Sequence, residues 1–290
     1  MFASWVLMVR FPLIFGIRKD EGVVLPMMLW LILALSLIVA GIAAVAKMDA
    51  RVVSHHVASI QAFQLAKGAV HLAMRDLQLA RETGEHQGRG VFVVQYQFNQ
   101  SQLTVTVMPV TGLMNANRAS EALLSLVFRQ ALQMETEAAD TLAARWVAWR
   151  APSDDNMSDE QDLGGRRFEV IEDLRQVVGI QFDQYARLKE LVSVIPSNHS
   201  GIDPVAAPAT LLLALLEGDE TQFERLMSLR ENDALDHQPF DSIESQFLTS
   251  ASSRGYRVDV RIEKQTVFMH RFWVMLDSYD EKQPWRIVSF

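Results

Sequence analysis

Asp154, Asp155, Asn156, Asp159, Glu160 and Asp162 place six oxygen-bearing side chains within nine residues of a 290-residue chain. Hard oxygen donors at this density suit calcium, which takes about six to eight oxygen ligands. A solvated acidic loop has the same composition, so the residues alone leave both readings open. Nitrogen and sulfur chemistry finds less to work with. Of seven histidines only His55 and His56 are adjacent, and neighbours on a helix point in different directions. No His-x-x-x-His or His-Glu-x-x-His pair occurs, so zinc lacks a ligand set. The chain has no cysteine, which excludes disulfides, thiolate metal sites and cysteine nucleophiles. Nucleophile elbows and phosphate-cradling glycine loops are also missing from the sequence, so an enzyme reading has no residues to stand on. The net charge of −8 and pI of about 5.4 disfavour a nucleic-acid partner, because phosphate contacts need clustered lysine and arginine.

The other chemistry is processing. Residues 23–46 contain no charge. As a helix rising about 1.5 Å per residue they would span about 36 Å, enough for a hydrocarbon core of about 30 Å. Arg18, Lys19, Asp20 and Glu21 precede this block, Gly22 ends the leader, and Lys47, Asp49 and Arg51 close the far side. The positive-inside bias is weak. The apolar run is too long for a secretory signal peptide. A basic leader ending in glycine directly before a membrane helix resembles a type IV prepilin leader, with cleavage between Gly22 and Val23. Pro26 fits that cut. In a longer helix it would clash with the carbonyl four residues back, which is Gly22's. Once the leader is gone, Pro26 lies among the first four residues, whose N–H groups have no intrahelical partner. A second apolar patch, residues 2–15, belongs to a long leader or precedes a later start at Met8.

These sites must be carried by larger elements. Val53, Val57, Ile60, Phe63, Ala66, Val70, Ala73 and Leu77 recur at helical spacing, so one helix is expected from Val23 to about Arg81 with an apolar stripe along its second half. Gly68 is tolerated inside it. Residues 91–98 and 103–107 read as a strand pair around an Asn99-Gln100-Ser101 turn. Helices are expected after Ser120, a plausible N-cap, at 138–149, at 210–216 and at 220–229, followed by a polar loop at 231–246. Strands at 256–262, 266–276 and 285–290 complete the sheet. The fold class is α+β: a long N-terminal helix, half transmembrane and half amphipathic, packed on an antiparallel sheet with a large α-helical insertion. The expected divisions are a leader (1–22), a membrane helix (23–46), the helix and first strands (47–112), the inserted helical domain (113–231) and the closing strands (232–290).

Within the middle region a family becomes recognisable. Gly112, Asn115, Asn117, Ala119 and Glu121 stand as in the G-x-x-N-x-N-x-A-x-E segment of the type II (general) secretion pathway protein K family of minor pseudopilins. Phe168, Leu174, Arg175, Val177, Gly179, Tyr185 and Leu188 resemble its F-x-x-x-x-x-L-R-x-V-x-G…Y-x-x-L segment, and residues 201–208 are similar to its N-x-N-T-A-P element. Asp203 and Val205 replace the expected asparagines, and Arg150-Ala151-Pro152 replaces acidic residues after the Trp149 helix. The resemblance implies an inner-membrane anchor with a periplasmic domain, cleavage by a prepilin peptidase, calcium in the helical domain near Asp154, Asp155, Asp159, Glu160 and Asp162, and other minor pseudopilins as partners. Major pilins carry a glutamate as fifth mature residue; here that place is taken by Met27, as suits a subunit at a filament tip. Two other readings share the anchor: a DNA-uptake protein using a helix-hairpin-helix-like element at 174–180, and a minor pilin of a type IV pilus.

Two outcomes are expected. Mass spectrometry of the membrane-extracted protein shows Val23 as the N-terminus; an intact Met1 or Met8 start in a functioning cell would contradict cleavage. Calcium raises the melting temperature of the protein, by the equivalent of about 2.7 kcal/mol at 100-fold excess over its dissociation constant, and a melting curve indifferent to calcium and chelator would leave only the solvated loop.

Overall fold

The computed structural model describes residues 24–86, 89–150, 167–231, 240–264, 266–276 and 284–288. The chain forms two units, Met1–Ser59 and Ile60–Phe290. Helix α1 (Val24–Glu82) contributes to both. In the first unit the side chains from Val24 to Val57 are exposed. By length and composition this helix is apolar enough to cross a membrane, with a mean hydropathy of 2.7 over its best window. Pro26 lies in its first turn, where the missing N–H costs nothing.

In the second unit the end of α1 buries Ala62, Ala66, Ala69, Val70, Ala73, Met74 and Leu77. The face is largely alanine, which lets the helix approach the sheet closely and loses no side-chain entropy on burial. The expected stripe is therefore only half right. Ala66, Val70, Ala73 and Leu77 are buried, whereas Val53, Val57, Ile60 and Phe63 stay exposed, Phe63 although its ring lies beside that of Phe272, centroids 5.6 Å apart.

The sheet has five antiparallel strands in the order β1-β2-β5-β6-β7: β1 (Phe92–Phe98), β2 (Ser101–Pro109), β5 (Gly255–Glu263), β6 (Val267–Leu276) and β7 (Trp285–Val288). Strands β1 and β2 close through Asn99 and Gln100, with Phe98 opposite Ser101. Asn99 takes the turn's left-handed conformation at φ 53°, which asparagine adopts more readily than most residues. Alternation sends Leu103, Val105 and Val107 of β2, Tyr256, Val258, Val260 and Ile262 of β5, and Phe272 and Val274 of β6 into one core with α1.

The chain leaves the sheet at Pro109 and returns at Gly255, on strands that are neighbours: Pro109 lies opposite Tyr256. Between them sits a helical block with its own core. It comprises β3 (Met114–Asn115), α2 (Glu121–Leu132), α3 (Thr136–Arg150), α4 (Phe182–Leu191), β4 (Val192–Ser193), α5 (Ala209–Leu215) and α6 (Glu220–Glu231). Ser120 caps α2 as expected, its hydroxyl accepting the Leu123 N–H at 3.2 Å. Two features went unread in the sequence. The parallel pair β3–β4 is two residues long on each side, too short to leave a periodic signal. Within the stretch read as polar loop, Ile243 is buried, and Phe247 is buried just beyond it in a short 3₁₀ turn, Ser245–Phe247. A third, small cluster of Met108, Val110, Leu113, Ile195 and Trp273 lies between the two larger cores.

Candidate functional site

The motif residues of the middle region converge where the helical block leaves the sheet. Asn115, buried in β3, donates from Nδ2 to the Ser197 hydroxyl at 2.7 Å and accepts the Asn117 N–H at 2.9 Å. Asn117 grips the backbone of Phe168 from both sides, accepting its N–H at 2.9 Å and donating to its carbonyl at 3.0 Å. Phe168 stacks on Trp149 with ring centroids 4.2 Å apart. The Trp146 indole donates to the Ala116 carbonyl at 2.9 Å. Arg150 donates to the same carbonyl and to that of Ala119. The two asparagines thus act as side-chain staples between segments that have no ladder to share. Gly112 is required by close approach, since a Cβ there would lie 2.5 Å from the Ala206 backbone.

Asp203 is fully buried. It faces a two-pronged Arg89, with Nη2 and Nε at 2.9 and 3.1 Å from its two oxygens. It also accepts the Val205 N–H at 3.2 Å, and its own N–H donates to the Thr111 carbonyl at 2.8 Å. Arg230 donates to the carbonyls of Pro204 and Ala207 nearby; burial lowers its pKa, and the Asp203 charge opposes that shift. His199 gives Nδ1 to the Gly201 carbonyl at 3.0 Å. A carbonyl only accepts, so Nδ1 carries the proton and Nε2 is left as an acceptor. Burial pushes the imidazole's pKa below its ordinary value.

A second polar array ties α4 to the sheet face opposite α1. Arg271 of β6 grips both Glu190 oxygens, at 2.6 and 3.1 Å, and Asp259 at 2.6 Å. Arg257 donates to the Glu190 backbone carbonyl at 2.8 Å. The hydrogen bonds from Arg271 hold the Glu190 carboxyl below the usual range against the opposing effect of burial.

Gly22, Val23, Asp154, Asp155, Asp159, Glu160 and Asp162 lie outside the described residues. Met27 sits in the first turn of α1 with an exposed side chain. Among the described residues no group of three acidic or histidine side chains is gathered to hold a metal. The helix-hairpin-helix-like segment has a six-residue 3₁₀ turn, Ile171–Gln176, as its first limb. At the start of α4 the Gln181 N–H already donates to Gln184 at 2.9 Å, and the hairpin exposes Val178 and Phe182. Apolar tips and occupied N–H groups do not favour phosphate contacts. Sequence reasoning found Asn115, Asn117 and Phe168 through the resemblance of their segments to the protein K family. It missed Arg89, Glu190 and Arg271, because partners so distant in the chain leave no local pattern.

No family model matches the sequence, and no curated protein is significantly similar to it. Among solved structures the fold is similar to a chain of the GspK-GspI-GspJ complex from the enterotoxigenic Escherichia coli Type 2 Secretion System, at a TM-score of 0.51 and 16% identity, covering 81% of this chain and 98% of that one. At that identity the likeness is one of fold.

The Asp203 pair yields a stability test. Arg89→Ala leaves a buried carboxylate without its bidentate partner and should cost about 2–3 kcal/mol, below the range for a fully buried pair because Arg89 is partly exposed. Adding Asp203→Asn to Arg89→Ala should recover part of that loss. Urea unfolding of the variants checks both, and an unchanged midpoint in Arg89→Ala would refute the ion pair's role.

Proposed function

We propose that this chain is a minor pseudopilin of protein K type, placed at the tip of a type II secretion pseudopilus. The observation that carries the reading is the fold: a pilin-like helix and sheet bearing a helical block, shared with a chain from a complex of three pseudopilins over nearly all of that chain. The first unit supports it. Beyond the membrane-length segment, Met48, Val52, Val53 and Val57 remain exposed, and exposed apolar side chains along a helix call for helical partners. Those partners are other minor pseudopilins of the same system.

The mechanism is assembly. After the peptidase removes residues 1–22, the apolar helix anchors the chain in the inner membrane with the second unit in the periplasm. Met27 brings no carboxylate to pair with a neighbour's N-terminal amine, and an unpaired buried charge is costly, so no further subunit is drawn in above this one. The helical block obstructs stacking of identical copies and leaves the chain room only at an end. It seeds the filament that supports export of folded proteins across the outer membrane. In this reading the acidic residues 154–162 are the calcium donors, their hard oxygens suiting that ion.

Co-purification of the tagged full chain with the other minor pseudopilins of its cell tests the proposal. A heteromeric complex with one copy of this chain is expected. Homopolymeric filaments, or copies spread along a native pseudopilus, would overturn it.

A further inference from the structure

Two adjoining clefts open where the helical block meets the sheet, beside the Asn115–Asn117–Phe168 contacts. The larger, about 730 Å³, is lined by Arg118, Arg167, Arg254, His199 and serines including Ser197 and Ser200, with no carboxylate among its lining residues. The smaller, about 410 Å³, shares Arg118 and Arg167 but is walled by Phe168, Val170, Val194, Ile195 and Pro196, with Glu169 its one acid. Both lie in the size range of small-ligand sites, about 300–1,000 Å³. In a chain of net charge −8, a cleft lined by three guanidinium groups and no acid is a local reversal of field.

All three arginines are exposed, and two of them are hydrogen-bonded through the backbone. The Arg118 N–H donates to the Asn115 carbonyl at 3.2 Å, and the Arg254 carbonyl accepts the Leu276 N–H at 2.8 Å. Arg167 adjoins Phe168, held on both sides by Asn117. Among the described residues, the ion pairs leave all three without a carboxylate. His199 is buried in the wall, and its Nε2 has no hydrogen-bond partner. Ser197 already accepts from Asn115, so its hydroxyl hydrogen remains to be donated.

We propose that the paired clefts bind a carboxylate carried on an apolar group, the arginines and Ser197 taking the oxygens and the Phe168–Pro196 wall taking the apolar body. Planar guanidinium groups match a carboxylate's two oxygens with paired N–H donors. A peptide with an acidic residue beside an aromatic one presents this chemistry, and so does a free aryl acid. The assembly reading plays no part in the inference.

Isothermal titration of the full chain in an uncharged detergent tests it with four probes: N-acetylphenylalanine, its amide, inorganic phosphate, and a blocked peptide in which glutamate follows phenylalanine. Both carboxylate probes should saturate, with the amide and phosphate each weaker by about tenfold or more. The tighter of the two carboxylate probes identifies the source as peptide or small acid. The double variant Arg118→Gln and Arg167→Gln should weaken both by about tenfold or more with near-ultraviolet circular dichroism unchanged. Should that variant fail to fold, Arg254→Gln at the exposed rim should weaken them in the same direction. An amide or phosphate as tight as the acid, or folded arginine variants with undiminished affinity, would overturn the proposal.

Discussion

The antiparallel pairing of β2 with β5 is the constraint on which the rest of the molecule hangs. Its register runs from Gln102 opposite Glu263 to Pro109 opposite Tyr256. It joins the hairpin that follows α1 to the strands at the end of the chain, and without it the α1 core would lose one wall. It also brings together the two ends of the helical block. A segment whose ends are already neighbours adds little closure cost to the fold that carries it, so a large block can be inserted without changing how α1 meets the sheet. The hydrophobic packing divides along the same line, with one core under α1 and another inside the block.

Polar contacts fasten the block in its place. Asn117 on Phe168, Asn115 on Ser197, Arg89 on Asp203 and Arg271 on Glu190 each join segments far apart in sequence. Burying such groups costs solvation that their partners offset only when geometry is good. What they add over an apolar contact is direction: a forked guanidinium or a two-sided amide fits one partner in one orientation. Asp203 is the clearest case. Its carboxylate is a charge at a fully buried position, and Arg89 supplies its counterpart.

The first unit follows a different rule. Its helix satisfies its own backbone and leaves apolar side chains outward, the arrangement demanded of a chain in hydrocarbon. The alanine face farther along α1 is made for contact with a sheet. One helix therefore carries two patterns, a charge-free apolar run over 24–46 and, at its end, a buried face of small and apolar residues from Ala62 to Leu77.

Much of this was written locally. The charge-free run at 23–46, the spacing of Ala66, Val70, Ala73 and Leu77, the alternation of β2 and β5, and the cap at Ser120 are each short-range patterns, set by helix and strand geometry wherever the chain goes next. They determined the α+β class, the long helix and the inserted block. The resemblance marked Asn115, Asn117 and Phe168, residues that do meet, though the sequence could not say that they meet one another. Which part of the apolar stripe is covered was decided by the tertiary structure: Val57 and Ile60 are exposed, whereas Ala66, Val70, Ala73 and Leu77 are buried. Arg89 with Asp203, Glu190 with Arg271, and the convergence of Arg118, Arg167 and Arg254 on one cleft were decided only by the tertiary structure. Each needs the β2–β5 pairing to bring distant segments together, and no local periodicity records a contact made at that distance.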